Sequence, residues 1–216
     1  WLAAAFVVLF GGMLVTHHLY LFTTLDVSRR RVSPFTFAFV RKRGSFAQIP
    51  AVLADVGATL NRVAPGACTN SAIGVYFDDP AKVPEADMRW WLGFVVHADV
   101  EQEQLLELLD AAQREDIDTM VLPSFTALEC VAPWRNAFAP VLAPRAAYAA
   151  LGKHAHAELG DAAAALNSPA IELYDRHAHV DKMAQVRYLL PLDSLPELSE
   201  YELVLDDDDD DDDDDD

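Results

Sequence analysis

The hydrophobic rhythm of the chain changes repeatedly, and each change predicts an element. FTFAFV (35–40) places Phe at every second position, the period of a strand. FAQIPAVLADVGATLNRV then spaces Phe46, Ile49, Val52, Leu53, Val56 and Leu60 as one helical face, and Pro50 suits its first turn. SAIGVYFDD reads as a strand stopped by Pro80 and Pro84. MRWWLGFVV (88–96) is apolar nearly throughout, as expected of a central strand covered on both faces. EQEQLLELLDAAQRED (101–116) returns to helical spacing, with Leu105, Leu108, Leu109 and Ala112 on one face.

The same order then recurs. TMVLP and FTALECV are strand material, WRNAFAPVLAPRAAYAALGKHAHAELG is helical with interruptions at Pro140 and Pro144, and SPAIELYD and MAQVRYLLPL close the set as two strands. AIGVYFDD and AIELYD match most closely: Ile73 and Ile171 each open a strand with a Tyr three residues on. The pattern predicts an α+β fold of two strand-helix-strand-strand units joined in one antiparallel sheet. The helices are expected on one face, with the other partly open. The folded domain is expected over residues 35–192.

Residues 1–25, WLAAAFVVLFGGMLVTHHLYLFTTL, carry no formal charge. A run of that length reads as a single transmembrane helix rather than a signal peptide, whose apolar core is shorter and is followed by a small-residue cleavage site. Residues 26–34 then read as a basic juxtamembrane linker. Arg29, Arg30 and Arg31 mark the cytosolic side of the span, with Arg41, Lys42 and Arg43 reinforcing it. The chain opens on Trp1 and stops inside an aspartate run, so both ends are expected to extend further.

Composition narrows the chemistry. The formal charge is −19, but eleven of the 35 acids are the terminal run Asp206–Asp216, and without them the balance is −8. An acidic domain does not suit nucleic acid, whose phosphates require Lys and Arg. Cys68 and Cys130 form no CxxC motif and read as packed, reduced thiols. The pairs His154/His156 and His177/His179 do not suit a metal: residues two apart on a helix do not share a face, and the second pair falls in a turn. Asp78 and Asp79 precede Pro80 and read as turn residues. With no nucleophile motif and no Gly-rich phosphate loop, the chain is expected to be no enzyme and to need no cofactor.

SAIGVYFDDPAKVPEADMRWWLGFVV resembles the signature stretch of the testis-expressed protein 264 family, in which a V-Y-Y-D-N-P-like strand end leads through V-P to the next strand. SPAIELYDRHAHVDKMAQVRYLLPL is similar to that family's second copy, and the order matches over roughly residues 1–192. The resemblance implies a gyrase-inhibitor-like domain of the effector-binding fold behind a membrane anchor. It also implies a receptor of the endoplasmic reticulum membrane for selective autophagy, with the bulk of the chain cytosolic, Atg8-like proteins as partners and a p97-type AAA ATPase as a further one. Related bacterial domains often carry a Glu four residues before Pro on the last strand, facing cationic drugs. The matching position here is Arg187, which argues against cations. Glu172 on the neighbouring strand reads as solvated. Tyr76, Trp90, Glu172, Tyr174 and Arg187 are the candidate groove residues, Trp91 and Tyr188 could line the same groove, and aromatics on strands are more often core. A membrane-tethered binder of haem or an amphipathic small molecule is the alternative reading. Haem-binding SOUL proteins share the general fold, although no histidine stands out as a ligand.

The tail supplies the receptor reading with a handle. Tyr201-Glu202-Leu203-Val204 fits aromatic-x-x-aliphatic, the core of an Atg8-interacting motif, flanked by Glu197, Glu200 and the aspartates. Such a segment binds by strand addition, with Tyr201 and Val204 filling apolar pockets and the acids meeting a basic rim. Residues 193–216 are expected to be a disordered acidic tail, because like charges repel and bury nothing; the alternative is that residues 195–205 form a last edge strand or helix packed on the domain, with Tyr201 buried.

Overall fold

The computed structural model describes residues 25–134, 139–165, 169–175 and 184–198. The described residues form eight strands: β1 (Val27–Val32), β2 (Phe35–Arg43), β3 (Cys68–Tyr76), β4 (Arg89–Val96), β5 (Asp118–Leu122), β6 (Phe125–Trp134), β7 (Ala170–Asp175) and β8 (Ala184–Pro191). Three α-helices lie among them: α1 (Ile49–Val63), α2 (Gln102–Arg114) and α3 (Ala139–Leu159). The strands form one sheet in the order β1-β6-β8-β7-β3-β4-β2-β5, with each neighbouring pair antiparallel.

That order is palindromic. β2-α1-β3-β4 is one unit, β6-α3-β7-β8 is the other, and β3 and β7 join them at the centre. The fold therefore has the duplicated strand-helix-strand-strand pattern.

Residues 26–34, expected to be a linker, instead supply the edge strand β1, paired with β6 from Val27↔Cys130 to Val32↔Phe125. VSRRRV hides its strand character because a sheet edge tolerates charge. Its two valines still face inward, Val32 to one core and Val27 to the other. Among the described residues no helix is long and apolar enough to cross a membrane. The anchor expected over residues 1–25 falls outside them except for Leu25, which packs against one of the core clusters.

Alternation along the strands makes two cores. One face carries Phe37, Phe39, Ile73, Val75, Trp91 and Phe125, together with side chains from both edge strands, so the sheet curls around a filled interior. Phe37 stacks on Phe39 at 4.6 Å and Phe39 on Trp91 at 4.7 Å. The partly open sheet face expected from sequence is thus largely closed by aromatic packing, and Leu195 and Leu198 add to the same cluster, so the start of the expected disordered tail is instead packed on the domain through its two leucines. Gly93 permits the tight curl: a Cβ there would lie 1.9 Å from the carbonyl oxygen of Ala38 on β2.

The helices cover the other face. α1 packs on β4 and β3, and α3 on β6 and β8. α1 buries Val56 and Leu60, and α3 presents Ala143, Ala147, Leu151 and Ala155, small residues that let its backbone lie close to β6. On α2 Leu108 is buried, but Leu109, expected on the same face, is 42% exposed, as is Leu106 at 58%. Asp78 ties the β3–β4 connection: its carboxylate accepts from the Arg89 backbone N–H at 2.7 Å and from the guanidinium at 2.7 and 3.0 Å. The Arg89 guanidinium holds the Asp78 carboxyl below its usual pKa.

Candidate functional site

β7 passes between the two helices, with α1 on the β3/β4 side and α3 on the β6/β8 side. The repeat and the register fix what lies there. Ile73, Gly74, Val75 and Tyr76 correspond in sequence to Ile171, Glu172, Leu173 and Tyr174, and the β3–β7 ladder sets Gly74 directly opposite Glu172. The local axis relating the two units therefore passes between Gly74 and Glu172.

Tyr76 and Tyr174 rise on the helix side, one from each unit. Across the ladder each faces an alanine, Ala170 for Tyr76 and Ala72 for Tyr174, which leaves room for both rings. Tyr76 lies back over Gly74: a Cβ on Gly74 would meet the Tyr76 hydroxyl at 2.7 Å and its ring at 2.8 Å. The two hydroxyls meet at 2.8 Å. Tyr148 descends from α3, and Tyr188 on β8, opposite Glu172 in the register, stacks edge-on to it with centroids 5.5 Å apart.

Glu172 lies at the centre of these rings, 6% exposed. Tyr148 donates to Oε1 at 2.7 Å and Tyr174 to Oε2 at 2.5 Å. Because the Tyr174 proton is used on the carboxylate, Tyr76 donates in turn to the Tyr174 oxygen. Among the described residues no Arg, Lys or His forms a salt bridge with Glu172. Glu129, the other acid buried among the described residues, receives two arginines, Arg30 and Arg187.

Burial raises the Glu172 pKa, and the two phenol hydrogen bonds only partly oppose it. Burial first, and then the nearby carboxylate, hold Tyr148 well above the usual phenol range; the pKa values of Tyr76 and Tyr174 are also raised, chiefly by burial. The phenols are therefore neutral donors at any physiological pH. An ionised carboxylate in such surroundings is costly, and a positive charge brought beside it recovers much of that cost. Ring faces around it add cation–π attraction.

Sequence reasoning located part of this cluster. Tyr76, Glu172 and Tyr174 come together, but Glu172 is buried rather than solvated, because α3 and its Tyr148 cover that face of β7. Trp90 is fully buried beneath, donating from Nε1 to the Gly44 carbonyl at 3.0 Å, and belongs to the core. Arg187 pairs in register with Leu173, not with Glu172, so it points to the opposite sheet face and meets Glu129 there. It does not occupy the tyrosine site and cannot repel a cation from within it. Tyr148 was missed, although a lone Tyr in an alanine-rich helix was a signal available in the sequence. Tyr201, Glu202, Leu203 and Val204 lie outside the described residues, as do His177 and His179. His154 pairs with Glu158 along α3 at 3.5 Å.

A separate hollow of about 210 Å³ lies beside the C-terminal half of α1, lined in part by Asn61, Cys68, Asn70 and Phe94. Burial pushes the Cys68 thiol up to about 11, and the Cys130 thiol likewise to about 11, so neither is an activated nucleophile.

No protein-family model matches the chain, and no curated protein is similar to it at significance. Solved structures do match. The crystal structure of the EcmrR C-terminal domain aligns with a TM-score of 0.55 at 14% identity, over 79% of this chain and 99% of that one. EcmrR in a complex with DNA aligns with a TM-score of 0.53 at 14% identity, over 83% of this chain and 62% of that one. SAV2435 bound to tetraphenylphosphonium aligns at 0.43 and 10% identity, over 78% and 94%. At these identities the likeness is one of fold: a curled antiparallel sheet with helices, α+β, as in the EcmrR C-terminal domain.

Proposed function

We propose that the domain binds an amphipathic organic cation on the helix side of the sheet, between α1 and α3, with Glu172 as its counter-charge. One observation carries the reading: Glu172 is a buried carboxylate whose described partners are phenol hydroxyls, whereas the comparably buried Glu129 is met by two arginines. Tyr148 and Tyr174 retain partial exposure, which gives a ligand an approach to the acid. Their rings suit a flat or aryl-substituted cation. Haem fits this site less well, since its propionates would face a carboxylate and no described histidine joins the cluster.

The test is titration of the full chain in zwitterionic micelles with tetraphenylphosphonium, and with triphenylphosphine oxide as a neutral analogue. The expected result is saturable micromolar binding of the cation, weaker binding of the neutral analogue, and at least a tenfold loss in Glu172→Gln, on the order of 1.4 kcal/mol or more. Equal affinity of wild type and variant for the cation would overturn the reading.

The tail supports a second, independent proposal. The motif Tyr201–Val204 follows Leu198, the last described residue, after only two intervening positions, so a bound Atg8-like protein would sit beside the folded domain. In this reading the chain is an anchored receptor of the endoplasmic reticulum, with a p97-type ATPase as a further partner. Calorimetric titration of an Asp193–Asp216 peptide into an Atg8-like protein tests it. Binding abolished by Tyr201→Ala with Val204→Ala supports the receptor reading, and equal binding by both peptides overturns it.

A further inference from the structure

We propose that the acidic run Asp206–Asp216 docks in cis along the outer edge of β1, against Arg29, Arg30 and Arg31. β1 is an end strand: β6 is its partner on one side, and among the described residues no strand pairs with its other backbone edge. An open edge of this kind is a template for an added segment. Alternation splits the three arginines, Arg30 to one sheet face and Arg29 and Arg31 to the other, so a chain lying along the edge can reach guanidinium groups on both sides.

The arginines are only partly compensated. Arg29 meets Glu158 and Arg30 meets Glu129, yet their side chains remain 57% and 66% exposed. Arg31 donates to the neutral Ser124 hydroxyl at 2.7 Å, which leaves its charge unmatched in that contact. The tail is the complement: residues 199–216 hold thirteen acids and no Lys or Arg.

The last described turn lies on the correct side of the fold. The Leu192 N–H donates to the Thr126 carbonyl at 2.8 Å, Asp193 accepts from the Thr126 N–H at 2.6 Å, and Thr126 is the register partner of Arg31. Arg31 is thus two strand spacings from Leu192, about 10 Å. Leu195 and Leu198 then join the same core cluster as Val32. Asp206 follows Leu198 by eight positions, a reach of about 26 Å when extended. The six residues of β1 span about 20 Å, and the eleven aspartates cover about 36 Å. Leu198 is six positions beyond Leu192, so it lies within about 30 Å of Arg31. The roughly 26 Å of chain to Asp206 and the run's own length of about 36 Å therefore bring the acidic run within reach of the strand. Docked there, it would close the sheet edge and mask the basic strip.

Amide hydrogen exchange of residues 27–32 tests this. Wild type is compared with a variant in which all eleven terminal aspartates are asparagine, each as the full chain in zwitterionic micelles. At low salt the β1 amides are expected to exchange about fivefold or more slowly in wild type. The difference should shrink in Arg31→Gln and vanish near 1 M salt, where the screening length is about 3 Å. Equal exchange in wild type and the asparagine variant would overturn the proposal. So would protection that grows with protein concentration, which would indicate a second copy on the edge, or protection seen only with phosphatidylserine vesicles, which would assign the strip to lipid headgroups.

Discussion

The hydroxyls of Tyr76 and Tyr174 lie 2.8 Å apart although 98 positions separate the two residues. Each is the third residue after the isoleucine that opens its copy of the repeated strand motif, and the antiparallel ladder brings the two copies together. The contact joins the units at the site itself, and the Tyr174 proton carries the link on to Glu172.

Gly74→Ala should disturb this arrangement without changing any charge. The added methyl would fall 2.7 Å from the Tyr76 hydroxyl and 2.8 Å from its ring, and Tyr76 is itself buried. The ring must move, breaking the hydroxyl pair. A loss of about 1–3 kcal/mol is expected in urea unfolding, together with weakened cation binding. Unchanged stability and unchanged binding would show that Tyr76 relocates freely.

Glu172→Gln separates the binding role from the stability role. The folded-state pKa of Glu172 lies above its ordinary value of 4.5, chiefly through burial, so the protonated acid is the form that folding favours. That contribution is complete below 4.5 and is lost as pH rises through the folded-state pKa. Gln is neutral throughout and keeps an oxygen to accept a phenol hydrogen bond. The variant should match wild type in acid and exceed it at neutral pH, while losing cation affinity. Urea midpoints measured across that range check the point, and a variant less stable than wild type at neutral pH would contradict it.

Arg187→Ala should do the reverse. Removing this guanidinium leaves the buried Glu129 with Arg30 alone, and a cost of about 1–3 kcal/mol is expected. Cation binding should be unchanged, because Arg187 and Glu172 lie on opposite faces of the sheet. Thermal unfolding and cation titration of the same sample report both; tighter binding would mean that the Arg187 charge is felt through the sheet.

The duplicated pattern was legible because each unit changes its hydrophobic period where its elements change, from the FTFAFV strand to the helix carrying Val56 and Leu60, and so on to MRWWLGFVV. The burial of Trp90 and Trp91 followed from the same run. The site was only half legible. Tyr76 and Tyr174 stood out through the repeat, but the burial of Glu172 depends on Tyr148, a contact between a helix and a strand that no local spacing encodes. β1 was hidden for a different reason. An edge strand needs few apolar residues, and three consecutive arginines outweigh two valines in any reading by composition. The opposite orientations of Arg187 and Glu172 depend on the β7–β8 register, which sets Arg187 against Leu173 and Glu172 against Tyr188.

The pairing of Gly74 with Glu172 limits how such a binding site could be assembled at all. In a homodimer of identical single units, the residue on the dyad would be the same in both subunits. Two glycines there would supply no charge. Two glutamates would stand about 5 Å apart, and such a pair shares a proton rather than ionising twice. A solitary carboxylate at the dyad becomes available only once duplication and fusion let the halves diverge, one keeping the acid and the other giving up its side chain to make space. A fused chain of this kind offers one site of fixed polarity, so it would take one ligand per polypeptide, in one orientation.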